Sequence, residues 1–308
     1  MAVSDSPEIP IICGPTASGK TGIAVRLAHT YPIEVVGADS RQIIRRLDIG
    51  TAKPTPEERQ AAPMNLIDLI DPGGRYSAFR FIDDAEAAIA DILGRGSIPV
   101  VVGGTGLYLR ALSEGIVEID DDNLKIRRRL EEQMRKEGPE VMHGLLQRID
   151  PLEAEQVHPN NHVRVIRALE VFYLTGRCKS ELMHTDIYRR PAHRYQFYRL
   201  MPPRDELYER INRRVDQMLA QGLLDEIRGL IEDGLAEATR ESRVIGYVEL
   251  LDYLHGFRSL EEAIGLIKQN TRRYAKRQYT WLRHQVEGPV FTEPDSLEAE
   301  LAQKLDNW

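Results

Sequence analysis

Residues 9–30 read IPIICGPTASGKTGIAVRLAHT, and the rest of the chain is interpreted outward from them. The apolar run Ile9 to Cys13 has the length of a buried strand and is too short for a helix of its own. Gly14-Pro15-Thr16-Ala17-Ser18-Gly19-Lys20-Thr21 follows and meets G-x-x-x-x-G-K-[ST] at every fixed position. From Gly19 to about Thr30 the pattern becomes amphipathic, as in a helix. In such a strand, loop and helix, backbone N–H groups turn inward around an anion, Lys20 adds a charge and the helix presents its positive end. Thr21 supplies a hydroxyl suited to a magnesium ion shared with phosphate oxygens. A glycine-rich turn with a chance lysine is the bland alternative, and the flanking strand and helix argue against it. The motif specifies a polyphosphate without naming it.

Further apolar segments extend the pattern. Ile33 to Ala38 (IEVVGA) reads as a second buried strand, Asn65 to Ile70 as a third, and Ile98 to Val102 as a fourth, with a helix over 78–93. Fully apolar strands alternating with helices predict a parallel sheet covered on both faces. The expected class is therefore α/β, a P-loop NTPase-like sheet. Residues 118–192 show no convincing strand and are read as an all-helical insertion, with helices at 123–137, 139–149, 151–157 and 161–175. Tyr195 to Met201 returns to the sheet, and helices near 204–221, 223–233, 244–255 and 259–285 complete a helical C-terminal region. The expected domains are thus 1–117 with 193–308, and 118–192.

Two polar residues leave strand ends where open α/β sheets place ligands. Asp39 is open to three readings: a magnesium ligand, a base, or a cap for the turn that follows. Thr105, in Gly103-Gly104-Thr105-Gly106, is either a helix cap or a second polar group at the same edge.

Composition narrows the class. The 308 residues carry 42% hydrophobic and 29% charged residues, which excludes global disorder. Cys13 and Cys178 stand apart, so neither a disulfide scaffold nor a cysteine-rich zinc module fits. No apolar run approaches a membrane span, and a soluble, cytosolic protein is expected. A net charge of −7 argues on its face against a nucleic-acid partner. That average hides a segregation. Lys268, Arg272, Arg273, Lys276, Arg277 and Arg283 fall between 268 and 284 with no acid, leaving −13 on the remainder. Lys268, Arg272 and Lys276 share a helix face, and like charges so spaced call for an external anion. Tyr274, Gln278 and Trp281 are interleaved and suit stacking on, or hydrogen bonding to, bases. A solvated helix with Ile264, Ile267 and Leu282 turned inward is the alternative. Arg164 with Arg167 forms a weaker basic point, and Arg127-Arg128-Arg129 a weaker one still because Glu131 and Glu132 lie in pairing range.

Taken together, GPTASGKT (14–21), ADSRQ (38–42), LDIGTAKP (47–54), VVGGTGLYLRAL (101–112), HPNN (158–161), RVIRALEVF (164–172), INRRVDQMLAQGLLDE (211–226), RVIGY (243–247) and NTRRYAKRQYTWLR (270–283) resemble the tRNA dimethylallyltransferases, the isopentenyl-tRNA transferase family. The resemblance covers nearly the whole chain. It is to the bacterial form, since the zinc-finger tails of some eukaryotic members need cysteines that this chain lacks. What it implies is transfer of a dimethylallyl group from its diphosphate to N6 of the adenosine 3′ of the anticodon, tRNA position 37. It further implies that residues 14–21 and Arg214 hold the diphosphate with Mg2+, that Asp39 is the general base, and that Thr105 lines the channel where donor and adenine meet. Arg213 adjoins Arg214 and is the neighbouring candidate.

The tRNA-contacting segments implied by the resemblance, on the anticodon stem-loop, are Asp39, Ser40, Arg41 and Gln42, Thr105, Arg127, and Val163, Arg164, Val165, Ile166 and Arg167. They continue with Arg243, Val244, Ile245, Gly246 and Tyr247, and with Lys276, Arg277, Gln278, Tyr279, Thr280, Trp281, Leu282 and Arg283. A monomer is the default expectation for the family. Arg41 stands where the family usually has Met, Arg45 where Tyr is usual and Val248 where Arg is common. Three competing functions share the scaffold: a small-molecule or nucleotide kinase using the same loop, a non-catalytic RNA-binding module, and a relative that prenylates free adenine nucleotides.

Overall fold

A computed structural model describes residues 7–117, 125–182, 185 and 188–308. It separates into two compact units, 1–113 with 192–308, and 114–191.

The larger unit is built on a six-stranded sheet. Its strands are β1 (Ile9–Cys13), β2 (Ile33–Ala38), β3 (Met64–Asn65) and β4 (Ile98–Gly103), later joined by two more. In the smaller unit β5 (Ile116–Val117) pairs antiparallel with β6 (Tyr188–Arg189). β7 (Tyr195–Leu200) and β8 (Val290–Phe291) complete the large sheet, in the order β3-β2-β4-β1-β7-β8 with every pairing parallel. β1 and β4 are buried along their whole length, which is why they read as unbroken apolar runs. Ile12, Ile23, Leu27, Val100, Leu200 and Leu301 share one core, which joins the Lys20–Ala28 and Pro294–Leu305 helices to the sheet.

Four expectations need correction. The third strand is two residues long, because Leu66 and Asp68 take positive φ and leave extended geometry; Ile70 keeps only an isolated bridge to Ile44. The 118–192 segment, read as all-helical, contains β6, which pairs with β5 just before it. The helix expected from 244 begins at Tyr247, since Arg243 and Gly246 have positive φ. The Ala236–Glu241 and Pro294–Leu305 helices and β8 were not anticipated. In the 118–192 segment, the start of the 123–137 helix lies outside the described residues, and the helix is seen over Lys125–Glu137.

In the smaller unit, Lys125–Glu137, Pro139–Ile149, Pro151–Gln156 and His162–Thr175 enclose a core of Leu130, Met142, Leu146, Val165 and Leu169. In the larger unit the Arg204–Ala220, Leu223–Glu232, Tyr247–Leu254 and Leu260–Gln285 helices contribute to a second core around Val215, Ile227, Tyr247, Leu251 and Ile267. Ser259 and Glu262 cap the long Leu260–Gln285 helix reciprocally, each accepting the other's backbone N–H.

Candidate active site at the carboxyl edge of the sheet

Strand register sets the site. Cys13 pairs with Gly103 and Gly103 with Ala38, so β1, β4 and β2 end level with one another. The next residues of each strand therefore emerge on one edge: Gly14 opening the phosphate loop, Asp39, and Gly104-Thr105. This is the edge at which parallel α/β sheets bind ligands.

The loop is wound tightly. Gly19 caps the Lys20–Ala28 helix at φ 102°, a left-handed conformation that suits glycine. Ser18 is fully buried, and its N–H reaches Pro15 O at 3.3 Å. Lys20 Nζ donates to Pro15 O (2.8 Å) and Ser18 Oγ (3.4 Å). Burial pulls its pKa from 10.5 down to about 8, against the opposing pull of Asp39. Cys13 lies beneath; burial pushes its thiol up to about 12, so it is inert packing.

Asp39 fulfils one of its expected roles visibly. Its Oδ1 accepts from the N–H of Arg41 (2.8 Å) and Gln42 (3.4 Å), holding the turn. The same carboxylate interacts electrostatically with Lys20, Arg214, Tyr108 and Tyr274. Thr105 donates its N–H to Ala38 O, and its Oγ1 accepts from Ser40 N at 3.0 Å. It also starts the Gly106–Glu114 helix, whose Tyr108 and Leu109 N–H groups return to Thr105 O. Burial raises the Tyr274 phenol to about 12, against a smaller opposing influence of Thr105. Tyr108, also raised to about 12 by burial, stacks on Phe81 with ring centroids 4.3 Å apart. Both tyrosines therefore stay protonated within electrostatic reach of the Asp39 carboxylate. The sequence names Tyr274 only for stacking on, or hydrogen bonding to, bases, and Tyr108 only as part of a motif.

Beside the loop lies a cleft of about 960 Å³, bordered by Thr21, Arg214, Ile49, Ala52, Lys53 and Met218. Arg214 borders it and Arg213 does not. Burial lowers the Arg214 pKa while Asp39 and Glu58 oppose the shift, and a guanidinium remains charged throughout. No group of three His, Cys, Asp or Glu positioned to hold a metal occurs among the described residues.

The basic helix has a different role from the one expected for part of it. Lys268 is ion-paired with Asp216, and Arg272 donates to Asn212 Oδ1 at 2.6 Å. Two members of the shared face thus also bind the Arg204–Ala220 helix. Gln278 is buried: its Oε1 accepts from Thr16 N and its Nε2 donates to Gly104 O, each at 2.8 Å. It ties the phosphate loop to the Gly104-Thr105 loop and is not available to a base. Trp281 lies against Gly106, where a Cβ would come within 2.7 Å of the indole. Leu282 is core. Lys276, Arg277, Thr280 and Arg283 are exposed, with Arg277 over the Tyr274 ring at 5.7 Å and Tyr279 beneath Arg204 at 5.2 Å.

Other candidates sort in the same way. Val165, Ile166, Val244 and Tyr247 are buried in cores, so their side chains pack the fold. Gly246 is a helix cap, Ile245 packs on the core around Tyr247, Arg243 is exposed and Val163 is 66% exposed. Gln42 spends its amide on Ala52 O (3.0 Å) and Thr51 O (3.5 Å), while Arg41 Nη1 donates to Ser242 O at 2.8 Å. In the smaller unit, Arg127 and Arg167 share the buried Glu170 carboxylate, and Arg164 lies 3.8 Å from that of Glu153.

A phosphate-loop motif and the Asp39 carboxylate emerging at one edge of a parallel sheet define a P-loop-type α/β protein. Residues 42–285 match the model of the IPP transferase family and residues 7–68 that of isopentenyl transferase. The chain belongs to the IPP transferase family, among the tRNA dimethylallyltransferases. It is 52% identical to tRNA dimethylallyltransferase 1 of Pelobacter propionicus, over 89% of each chain, and 45% identical to tRNA dimethylallyltransferase of Geobacter metallireducens, over 93% of each. The crystal structure of tRNA isopentenylpyrophosphate transferase from Bacillus halodurans matches with a TM-score of 0.68 at 40% identity, covering 98% of both chains. A eukaryotic dimethylallyltransferase captured acting on tRNA matches with a TM-score of 0.76 at 31% identity, over 97% of this chain and 77% of that one.

Proposed function

We propose that the protein transfers the dimethylallyl group of dimethylallyl diphosphate to N6 of the adenosine 3′ of the anticodon in tRNA, forming N6-isopentenyladenosine and diphosphate. The observation that carries this reading is the level ending of β1, β4 and β2, which brings the phosphate loop, Thr105 and Asp39 to one edge. The N6 amine attacks the allylic C1, the C1–O bond breaks, and the diphosphate leaves with the bonding pair. Asp39 takes the N6 proton; its Oδ2 is the oxygen not engaged by the turn. The backbone of residues 14–21, Lys20 and Arg214 stabilise charge that grows on the leaving group.

A magnesium ion fits this donor set. The Thr21 hydroxyl, which borders the cleft, would be the side chain to hold it. There the ion would neutralise the departing diphosphate. In this reading Arg243, Lys276, Arg277, Thr280 and Arg283 of the larger unit and Arg127, Arg164 and Arg167 of the helical unit offer cationic and polar groups to the anticodon stem-loop, where an adenine is extruded at modest cost. The helical unit serves tRNA binding, and the enzyme works in the cytoplasm as a monomer. Among the described residues no helix is long and apolar enough to cross a membrane.

A kinase using the same loop is not favoured, because the family match spans most of the chain. The deciding assay incubates protein, magnesium, dimethylallyl diphosphate and unmodified tRNA and reads the tRNA by nucleoside mass spectrometry. A five-carbon gain on one adenosine is expected, with near-complete loss in Asp39→Ala. No gain, a gain on free AMP in preference to tRNA, or an ATP-dependent phosphorylated product would each overturn the reading.

A further inference from the structure

The segment 47–54 forms one wall of the cleft beside Thr21 and Arg214, contributing Ile49, Ala52 and Lys53 to its lining. It has no regular secondary structure, so its shape depends on side chains that reach it from elsewhere. Lys53, itself buried, donates to Ile44 O and pairs with Asp48 and Asp68 at 2.5–2.6 Å. The Gln42 amide holds its far end through Thr51 O and Ala52 O. The middle is held by two residues distant in sequence. Glu226 Oε2 accepts the N–H groups of Asp48 (3.2 Å) and Ile49 (2.8 Å). Its other oxygen, Oε1, accepts the Tyr247 O–H, and the Tyr247 oxygen accepts Gly50 N–H at 3.2 Å. Three consecutive backbone donors of the wall thus end on one carboxylate–phenol pair. Gly50 rests on the Tyr247 ring, with no room for a Cβ. Tyr247 is fully buried, and its phenol is held far above its usual pKa by burial and by Glu226, so the O–H donor persists at all working pH values.

We propose that Glu226 and Tyr247 form a latch that sets the wall of the cleft taking the diphosphate donor, and that they are positioning residues for that donor. Tyr247 belongs to the RVIGY segment that the family resemblance assigned to tRNA, yet its side chain is buried against Glu226 and Gly50 of the wall segment. The buried pair holds three N–H groups in place before the donor arrives, so the donor does not have to order the wall. The inference rests on the prenyl-transfer reading.

The experiment compares wild type, Tyr247→Phe, Glu226→Ala and Glu226→Gln in steady-state transfer, varying dimethylallyl diphosphate and tRNA separately. Tyr247→Phe keeps the buried ring and removes the oxygen that holds Gly50. Glu226→Gln keeps an amide oxygen for Asp48 and Ile49 N–H. Expected are a rise in donor KM of about tenfold for Tyr247→Phe and Glu226→Ala, a rise of about threefold or less for Glu226→Gln, and tRNA KM within about twofold of wild type throughout. Hydrogen exchange at the amides of Asp48, Ile49 and Gly50 is expected to quicken in the first two variants, with the phosphate-loop amides unchanged. This readout, with the Glu226→Gln kinetics, remains decisive if the harsher variants lose activity. A rise in tRNA KM alone, an equal rise in both constants, or unchanged exchange at the three amides overturns the latch. Absence of transfer by the wild type would instead overturn the prenyl-transfer reading.

Discussion

Lys20 carries the clearest pH signature at the residue scale. Its ammonium is depressed to about 8 in the fold against 10.5 for the free side chain. A diphosphate beside it favours the charged form, so binding takes up a proton near pH 8–9, and donor KM rises as pH passes above about 8. Calorimetry in buffers of different ionisation enthalpy measures that uptake. The linkage to stability has the opposite sense: between the two values the unfolded chain binds more protons than the native one, so the Lys20 contribution makes the free protein more stable as pH climbs through that window. Gln278 provides a second test. Gln278→Leu orphans Thr16 N–H and the buried Gly104 carbonyl, each group costing about 1–3 kcal/mol. Denaturant unfolding is expected to show that loss, and kcat to fall with it because the two loops are no longer tied. Neither consequence was visible in sequence, where Gln278 was one of several polar residues spaced along a basic helix.

At the scale of elements, the His162–Thr175 helix shows how a basic point is built. Arg167 reaches the Glu170 carboxylate at 2.8 Å, Arg127 arrives from the Lys125–Glu137 helix at 3.5 Å, and Glu170 is only 1% exposed. The arginines proposed to meet tRNA are thereby also partners of a buried charge. Arg167→Ala should lower stability by more than the ~0.5 kcal/mol of an ordinary surface change. A melting curve checks this and must accompany any reading of its tRNA affinity. The Leu260–Gln285 helix divides its labour by face: Lys268 and Arg272 bind the preceding helix, Gln278 and Trp281 support the catalytic loops, and Lys276, Arg277 and Arg283 face solvent. The i, i+4 spacing placed the cations correctly along the helix. It could not reveal that Asp216 and Asn212, more than fifty residues earlier, neutralise or engage two of them.

Over the whole molecule, charge governs association with a polyanion. Lys276 and Arg277 are exposed and do not border the cleft beside Thr21 and Arg214. If both meet phosphates, neutralising them should raise tRNA KM, flatten its dependence on log salt by about one to two units of slope, and leave donor KM unchanged. Measurement of both constants across a salt series checks this, and an equal loss of donor binding would mark the pair as supporting the fold instead. The net charge of −7 is a poor guide here, because an anionic partner senses the local field of the exposed cations.

Sequence alone determined the phosphate loop, the parallel α/β core and Asp39 and Thr105 as site candidates, whereas Arg214 was named only through the family resemblance. These are carried by local patterns: apolar runs of strand length, a fixed glycine and lysine spacing, and the residue that follows a strand. The long helices were equally legible from their periodicity. Tertiary structure decided the rest. The third strand is cut short by left-handed residues, and β8 and the last helix pack on the sheet too far along the chain for pattern to place them. Gln278, Tyr247 and Glu226 were assigned to RNA or left unassigned, yet they hold the loops that form the site. Their roles depend on hydrogen bonds to backbone groups up to 262 residues away. A linear pattern records which groups a residue carries, whereas the fold alone selects their partners.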